Sequence, residues 1–336
     1  MQIISAPQEY NEEDLFIDLE PVFGRSLYLK CEGFNFAGSI KLKAAAEMVA
    51  AAERDGSLTR DSILVESSSG NLGVALSVIA ASRGYRFVCI TDIRSNASVI
   101  RTMEAFGSSV RVITEPDPQG GFLGARLRHV RDLCDRDRRY VWLNQYTNPN
   151  NWKAHHRITA PTIASSFPEL DVLFVGAGTT GTLMGCARYF RERDSRVKVV
   201  AVDSVGSVTF GEPAAVRRIP GLGAGVLPPM LDWSYLDGVV HVSEEETVRA
   251  CHQLARVGFL MGGSTGTVTS GGLSWLAKHD PYRRLTAVAI SPDLGDRYLE
   301  SVYQKSWLRE MYGDGLADIH GGDPAADREL SAAALV

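Results

Sequence analysis

The sequence predicts an α/β fold in which mostly parallel sheets are covered by helices on both faces. Three observations carry this reading. From about residue 60, short β-branched runs alternate with helical stretches. The runs are apolar at nearly every position rather than every second one, as in strands buried on both faces. Several helical stretches stop at a glycine, where a left-handed cap is wanted. A chain of 336 residues is long enough for two domains or one large α/β domain.

The predicted strands are SILVES, RFVCITD, SVRVITE and YVWLNQY, followed by DVLFVGAG, VKVVAVD, GVVHVS and LTAVAISP. Helices are predicted over NLGVALSVIAASRG, NASVIRTMEAFG, GGFLGARLRHVRDLC, TLMGCARYFRER and EEETVRACHQLARVG, with Gly84, Gly107 and Gly258 as stops. Residues 204–237 are rich in Gly and Pro and read as a long functional loop. Residues 314–336 are small, polar and weakly periodic, the character of a flexible tail.

A net charge of −5 without a Lys/Arg-rich stripe argues against nucleic acid or an anionic membrane as partner. The acidic N-terminal stretch lacks the basic-then-apolar pattern of a signal peptide, and no apolar run has the length of a membrane span. Cys31, Cys89, Cys134, Cys186 and Cys251 are scattered, which reads as reduced thiols in a cytoplasmic protein. The pair His155-His156 has no carboxylate cluster around it and reads as core or surface histidines, not a metal site.

Four loops carry the chemistry. Gly176-x-Gly178-x-x-Gly181 follows a strand and opens a helix, and Asp203 ends the next strand. That fits a dinucleotide fingerprint, so a nicotinamide-dependent dehydrogenase is a competing reading. Gly178, Thr179, Thr180, Gly181 and Thr182 also suit one compact phosphate, through backbone amides, hydroxyls and the helix dipole. Glu66-Ser67-Ser68-Ser69-Gly70-Asn71-Leu72-Gly73, again at a strand-to-helix junction, suits a carboxylate. Gly38-Ser39-Ile40-Lys41 precedes a helix, with Ser39 as its N-cap and Lys41 opposing the dipole in the first turn. Met261-Gly262-Gly263-Ser264-Thr265-Gly266 is a turn signal between apolar segments.

The order and spacing of these loops resemble the cysteine synthase / cystathionine β-synthase / serine dehydratase family of pyridoxal-phosphate (PLP) enzymes, fold type II, from about residue 20 to residue 313. The resemblance implies two α/β domains, each with a mostly parallel twisted sheet flanked by helices. Residues 1–42 and 150–313 would form the large PLP-binding domain, 43–149 a small mobile substrate domain, and 314–336 the tail. It also implies Lys41 as the Schiff-base lysine, with Asn71, Gly178, Thr179, Thr180, Gly181, Thr182 and Ser264 on the cofactor. Ser68, Ser69, Asn71 and Gln145 would then hold the substrate, as would Arg126 and Tyr146. For Arg126 a solvated helix arginine is an equal alternative. SSSGNLG, GGFLGAR, NQYTNPNNW, VDSVGSVTFG, IPGLGAG and GDRYLESVYQKSWL look most like the branch that makes N-(2-amino-2-carboxyethyl)-L-glutamate from O-phospho-L-serine and L-glutamate.

Three departures stand out. Leu42-Lys43 replaces the family's usual Asp-Arg after the lysine, which makes Lys43 a formal rival. Leu72 stands where cysteine synthases carry Thr. Gly178 stands where the diaminopropionate branch carries Ser. The expected activity is a β-replacement on small amino-acid substrates by a homodimer. Cysteine synthase and serine/threonine dehydratase are the nearest alternatives.

Overall fold

The structure, a computed structural model, describes residues 4–10, 15–317 and 319. A 3₁₀ turn (Pro7–Glu9) precedes β1 (Phe16–Asp18), α1 (Glu20–Phe23) and β2 (Leu27–Cys31), and the chain then enters α2 (Lys41–Arg54). There follow β3 (Ile63–Ser67), α3 (Asn71–Arg83), β4 (Arg86–Asp92), α4 (Ala97–Ala105), β5 (Ser109–Ile113), α5 (Gly121–Arg136) and β6 (Tyr140–Trp142). Next come α6 (Pro149–Ala154), a π-helical turn (His155–Thr159) and α7 (Ala160–Ser166). The last part comprises β7 (Val172–Gly176), α8 (Gly181–Arg191), β8 (Lys198–Ser204), β9 (Gly238–Val242), α9 (Glu244–Arg256), α10 (Gly263–His279), β10 (Ala287–Ser291), α11 (Lys305–Tyr312) and α12 (Asp314–Ala317).

The predicted strands and helices all form, with YVWLNQY shortened to β6 because the chain turns at Asn144 in a left-handed conformation (φ 53°). Gly84, Gly107 and Gly258 adopt φ of 75°, 83° and 93°, the region that favours glycine. Between β8 and β9 the Gly/Pro-rich loop holds a single 3₁₀ turn, Trp233–Tyr235.

The strands form two sheets. One runs β5-β4-β3-β6, all parallel; the other runs β1-β2-β10-β7-β8-β9, parallel except for the antiparallel β1–β2 pair. Each sheet is covered on both faces. In the four-stranded sheet Leu64, Leu76, Ile79 and Met103 pack on one side and Val65, Ile90 and Val130 on the other. In the six-stranded sheet Leu173, Leu183 and Ile290 oppose Phe174, Val200 and Leu276. This double burial explains the apolar strands. The tail expected from residue 314 begins differently. Asp314–Ala317 are helical, and Leu316 and Ala317 bury against Leu308 and Val302. Residues 318 and 320–336 lie outside the described residues.

Candidate active site

Lys41 is the first residue of α2. Ser39 does not cap this helix as expected: Ile40 holds the N-cap position, and the buried Ser39 hydroxyl has no partner. The backbone pins the turn instead. Ser39 bridges to Asp293, and the Ile40 amide donates to Pro292 O at 2.8 Å. The Lys41 ammonium has no hydrogen bond or ion pair to any described residue, and burial pushes its pKa down to about 8. Lys43 is engaged: its ammonium lies 2.9 Å and 3.0 Å from the two carboxylate oxygens of Glu32, which also ion-pairs the fully buried Lys30 at 3.5 Å.

The Gly/Thr loop links β7 to α8. A Cβ on Gly181 would fall 2.2 Å from Asn151 Oδ1, and one on Gly178 would fall 3.0 Å from Gly221 O, so the loop is hemmed in by backbone and side chain. Thr180 sits in the left-handed region (φ 66°), costly for a β-branched residue, and its buried hydroxyl has no partner. Thr179 Oγ1 accepts from Asn151 Nδ2 at 3.2 Å. Thr182 Oγ1 meets His155 Nε2 at 3.2 Å, and His155 Nδ1 meets Thr159 at 3.0 Å within the π-helical turn. Burial, then Lys43 and Lys41, hold His155 well below its usual pKa, so it is neutral. An orphaned hydroxyl at the N-terminus of an 11-residue helix, in a cradle shaped by glycines, fits a bound phosphate.

The serine loop links β3 to α3. Ser68 Oγ accepts from the amides of Gly73 (2.9 Å) and Gly70 (3.3 Å), so it does the capping work. Ser69 is exposed. Asn71 Nδ2 donates to Asp293 at 2.9 Å, and Arg297 donates to Asn71 Oδ1. Gln145 is buried; its Nε2 donates to Ser67 O at 2.9 Å. Beneath the loop lies the buried Glu66, which accepts from Ser67 N (2.9 Å), Trp142 Nε1 (2.9 Å) and Gln145 N (3.1 Å). Burial outweighs these donors and pushes its pKa up to about 7.

Ser264, in the first turn of α10, is buried beside the Tyr298 hydroxyl. Gly221 (φ 116°) passes so close that a Cβ would fall 2.1 Å from Ser264 Oγ. Arg126 is not the solvated arginine of the alternative reading. It is 6 % exposed, its Nε lies 3.3 Å from Asp92, and its Nη1 has no partner. Tyr146 stands near it, with Ser67 against its hydroxyl.

The Lys41 turn, Asn71, Ser264, Gly178, Thr179 and Gln145 meet in one ring of contacts, whereas Arg126 pairs with Asp92 outside it and Ser69 is exposed. The Lys41 turn touches Asp293, which touches Asn71 and Tyr298. Tyr298 and Gly221 flank Ser264, and Gly221 borders Gly178. Thr179 leads through Asn151, which also donates to Gln145 O at 2.7 Å, back to the serine loop. Sequence reasoning missed Glu32, Asn151, His155, Asp293 and Arg297. Asn151 and Arg297 lie inside stretches already singled out, NQYTNPNNW and GDRYLESVYQKSWL. Glu32 and His155 gave no separate signal. Asp203 is fully buried at the end of β8, where its Oδ1 accepts from Ser204 N at 2.9 Å, rather than exposed to a ribose hydroxyl as the dinucleotide reading requires.

A family model described as pyridoxal-phosphate dependent enzyme matches residues 17–292. The N-(2-amino-2-carboxyethyl)-L-glutamate synthase of Cupriavidus metallidurans is 36% identical over 304 residues, 88% of each chain. The synthase of the same name from Ralstonia nicotianae is 36% identical over 287 residues, 85% of this chain and 84% of its own. Among solved structures, O-ureido-L-serine synthase superposes with a TM-score of 0.83 at 29% identity, covering 97% of this chain and 99% of that one. The O-acetylserine-dependent cystathionine β-synthase of Helicobacter pylori superposes with a TM-score of 0.82 at 25% identity, covering 90% and 100%. A half-buried lysine with no partner among the described residues, a glycine-shaped helix N-terminus that fits a phosphate and these likenesses agree: the chain belongs to the pyridoxal-phosphate-dependent enzymes, with the type II fold and pyridoxal phosphate as its cofactor.

Proposed function

We propose that the protein joins an O-activated L-serine, O-phospho-L-serine, to the amino group of L-glutamate, giving N-(2-amino-2-carboxyethyl)-L-glutamate and phosphate. The observation that carries this reading is the 36% identity to the Cupriavidus synthase over 88% of both chains.

When bound, pyridoxal phosphate supplies an electron sink for the pair left at the substrate Cα. Lys41 and the loop Gly178–Thr182 would hold it at its two ends, with Ser264 at the ring nitrogen and Asn71 at the ring oxygen. A serine hydroxyl does not force a proton onto that nitrogen, which favours elimination over transamination. Ser68, Ser69 and Gln145 would hold the donor carboxylate and fix the Cα–H for abstraction. A Lys41 amine with a pKa near 8 is partly neutral at neutral pH and takes that proton. The Cβ–O bond then breaks and releases phosphate, the glutamate nitrogen forms the new bond to Cβ and gives up a proton, and Lys41 returns a proton to Cα. The spare Nη1 of Arg126, with Tyr146 beside it, suits the donor's phosphate or the acceptor's carboxylate.

Residues 43–149 are read as a small substrate domain that moves against 1–42 and 150–313. The protein is read as a cytoplasmic homodimer; among the described residues no helix is long and apolar enough to cross a membrane. PLP-loaded protein given O-phospho-L-serine and L-glutamate should release phosphate and the conjugate, detected by mass spectrometry. Turnover with O-acetyl-L-serine and sulfide alone would replace this reading with a cysteine synthase.

A further inference from the structure

The residue that ties the ring of contacts together is Asp293, just after β10 and fully buried. Its main chain joins two cofactor elements. It bridges to Ser39 in the Lys41 turn, and its carbonyl accepts from Gly262 N at 3.1 Å and Thr265 Oγ1 at 3.2 Å at the start of the Ser264 helix. Its side chain reaches a third: Oδ2 accepts from Asn71 Nδ2 at 2.9 Å and from the Tyr298 hydroxyl at 2.7 Å.

A carboxamide can be turned either way round, but its neighbours here permit one. A carboxylate only accepts and a guanidinium only donates. Asp293 faces the nitrogen of Asn71, and Arg297 donates to its oxygen. Arg297 is itself fixed: it donates to Ala37 O at 2.5 Å, and its own carbonyl accepts from Asn96 Nδ2 at 3.1 Å. One N–H of Asn71 is thereby used by Asp293, its oxygen is covered by a cation, and its second N–H remains to donate. Reversed, the same side chain would present a lone pair to the site. Meanwhile Asp293 Oδ1 is buried with no partner, pressed against Gly262, where a Cβ would fall 2.1 Å away. Burial raises the pKa of Asp293, so an ionised carboxyl here costs stability. A group kept at that cost calls for a use, and orienting Asn71 supplies one.

We propose that Asp293 is a positioning residue that, opposite Arg297, locks the Asn71 amide with its N–H toward the cofactor ring oxygen. This rests on the reading above that Asn71 faces the ring.

The test uses four PLP-titrated variants, Asn71→Ala, Asp293→Ala, Asp293→Asn and Asn71→Ala/Asp293→Ala. The readouts are the visible absorption maximum and the PLP dissociation constant, with apo-protein melting as a check on folding. Asn71→Ala and Asp293→Ala should shift the band in the same direction and weaken PLP by about tenfold, the value of one hydrogen bond. Asp293→Asn keeps an oxygen that accepts from Asn71 and Tyr298 and should retain the parent spectrum. The double variant should match Asn71→Ala alone, because Asp293 acts through that amide. An Asp293→Ala effect that persists undiminished without Asn71, or a shifted Asp293→Asn spectrum in a well-folded protein, overturns the proposal. An Asn71→Ala variant with unchanged spectrum and affinity overturns the underlying reading and the proposal with it.

Discussion

The Lys43 ammonium sits 2.9 Å from Glu32 Oε2, so the lysine two residues beyond Lys41 is held by a carboxylate while Lys41 is held by nothing among the described residues. Only an unpaired amine gives up its proton readily enough to serve as a nucleophile near neutral pH. Borohydride reduction and peptide mapping of PLP-loaded protein should therefore find the pyridoxyl group on Lys41 in the parent and in Lys43→Met, and nowhere in Lys41→Met. Glu32→Gln should destabilise the fold by about 3 kcal/mol, since it removes the buried carboxylate charge that ion-pairs both Lys30 and Lys43. Urea melts would measure it.

The lowered pKa of Lys41 makes a pH-dependent prediction for the apo-protein. Below about 8 the amine is charged in both folded and unfolded chains, and the full cost of burying it is present. Between about 8 and the model-peptide value of 10.5 the unfolded chain holds the proton and the folded one does not, so stability rises with pH. Lys41→Met should melt above the parent at pH 7, with the gap closing as pH approaches 10. A gap independent of pH would locate the effect in packing rather than charge.

Glu66→Gln should destabilise the protein by about 1–3 kcal/mol, because one carboxylate oxygen becomes an NH₂ group facing either the Gln145 amide or the Ser67 and Trp142 donors. With a pKa of about 7, the parent Glu66 stays protonated in the fold after its unfolded counterpart has ionised near 4.5. Its contribution is full below 4.5 and is lost as pH rises through 7. Melting curves between pH 4.5 and 7 should flatten in Glu66→Gln relative to the parent.

Thr180→Gly should raise the apo-protein melting temperature by about 2 °C. The left-handed conformation costs a β-branched residue about 1–2 kcal/mol, partly offset by the freedom glycine adds to the unfolded chain. The same change removes a buried hydroxyl from the phosphate cradle, so PLP should bind more weakly. Calorimetry and PLP titration should thus move in opposite directions.

The strands and most helices were legible because burial on both faces and helical periodicity write directly into local sequence, as in Leu173–Val175 of β7 or Val248, Cys251 and Leu254 of α9. Lys41, Asn71, the Gly/Thr loop and Ser264 were legible because each opens a helix after a turn, a local arrangement with a chemical signature. His155 and Arg297 were not, because their partners lie farther off along the chain, and Glu32 was not, because its pairing with the nearby Lys30 and Lys43 carries no motif. Arg297 meets Asn71 across 226 positions, and His155 meets Thr182 only because a π-helical turn rotates it there. The left-handed backbone at Thr180 was also hidden, since threonine gives no hint of it.

The contacts around Asp293 span most of the chain: 222 positions to Asn71 and, through Arg297, 260 to Ala37. Such loops close late in folding, since their entropy must be met before the contacts reward it. The cofactor pocket is thus completed only when the last strand, β10, has taken its place between β2 and β7. A chain interrupted before Asp293 lacks the residue that joins the lysine turn to the serine helix, so capture of PLP should report that the chain has been made and docked as far as this residue.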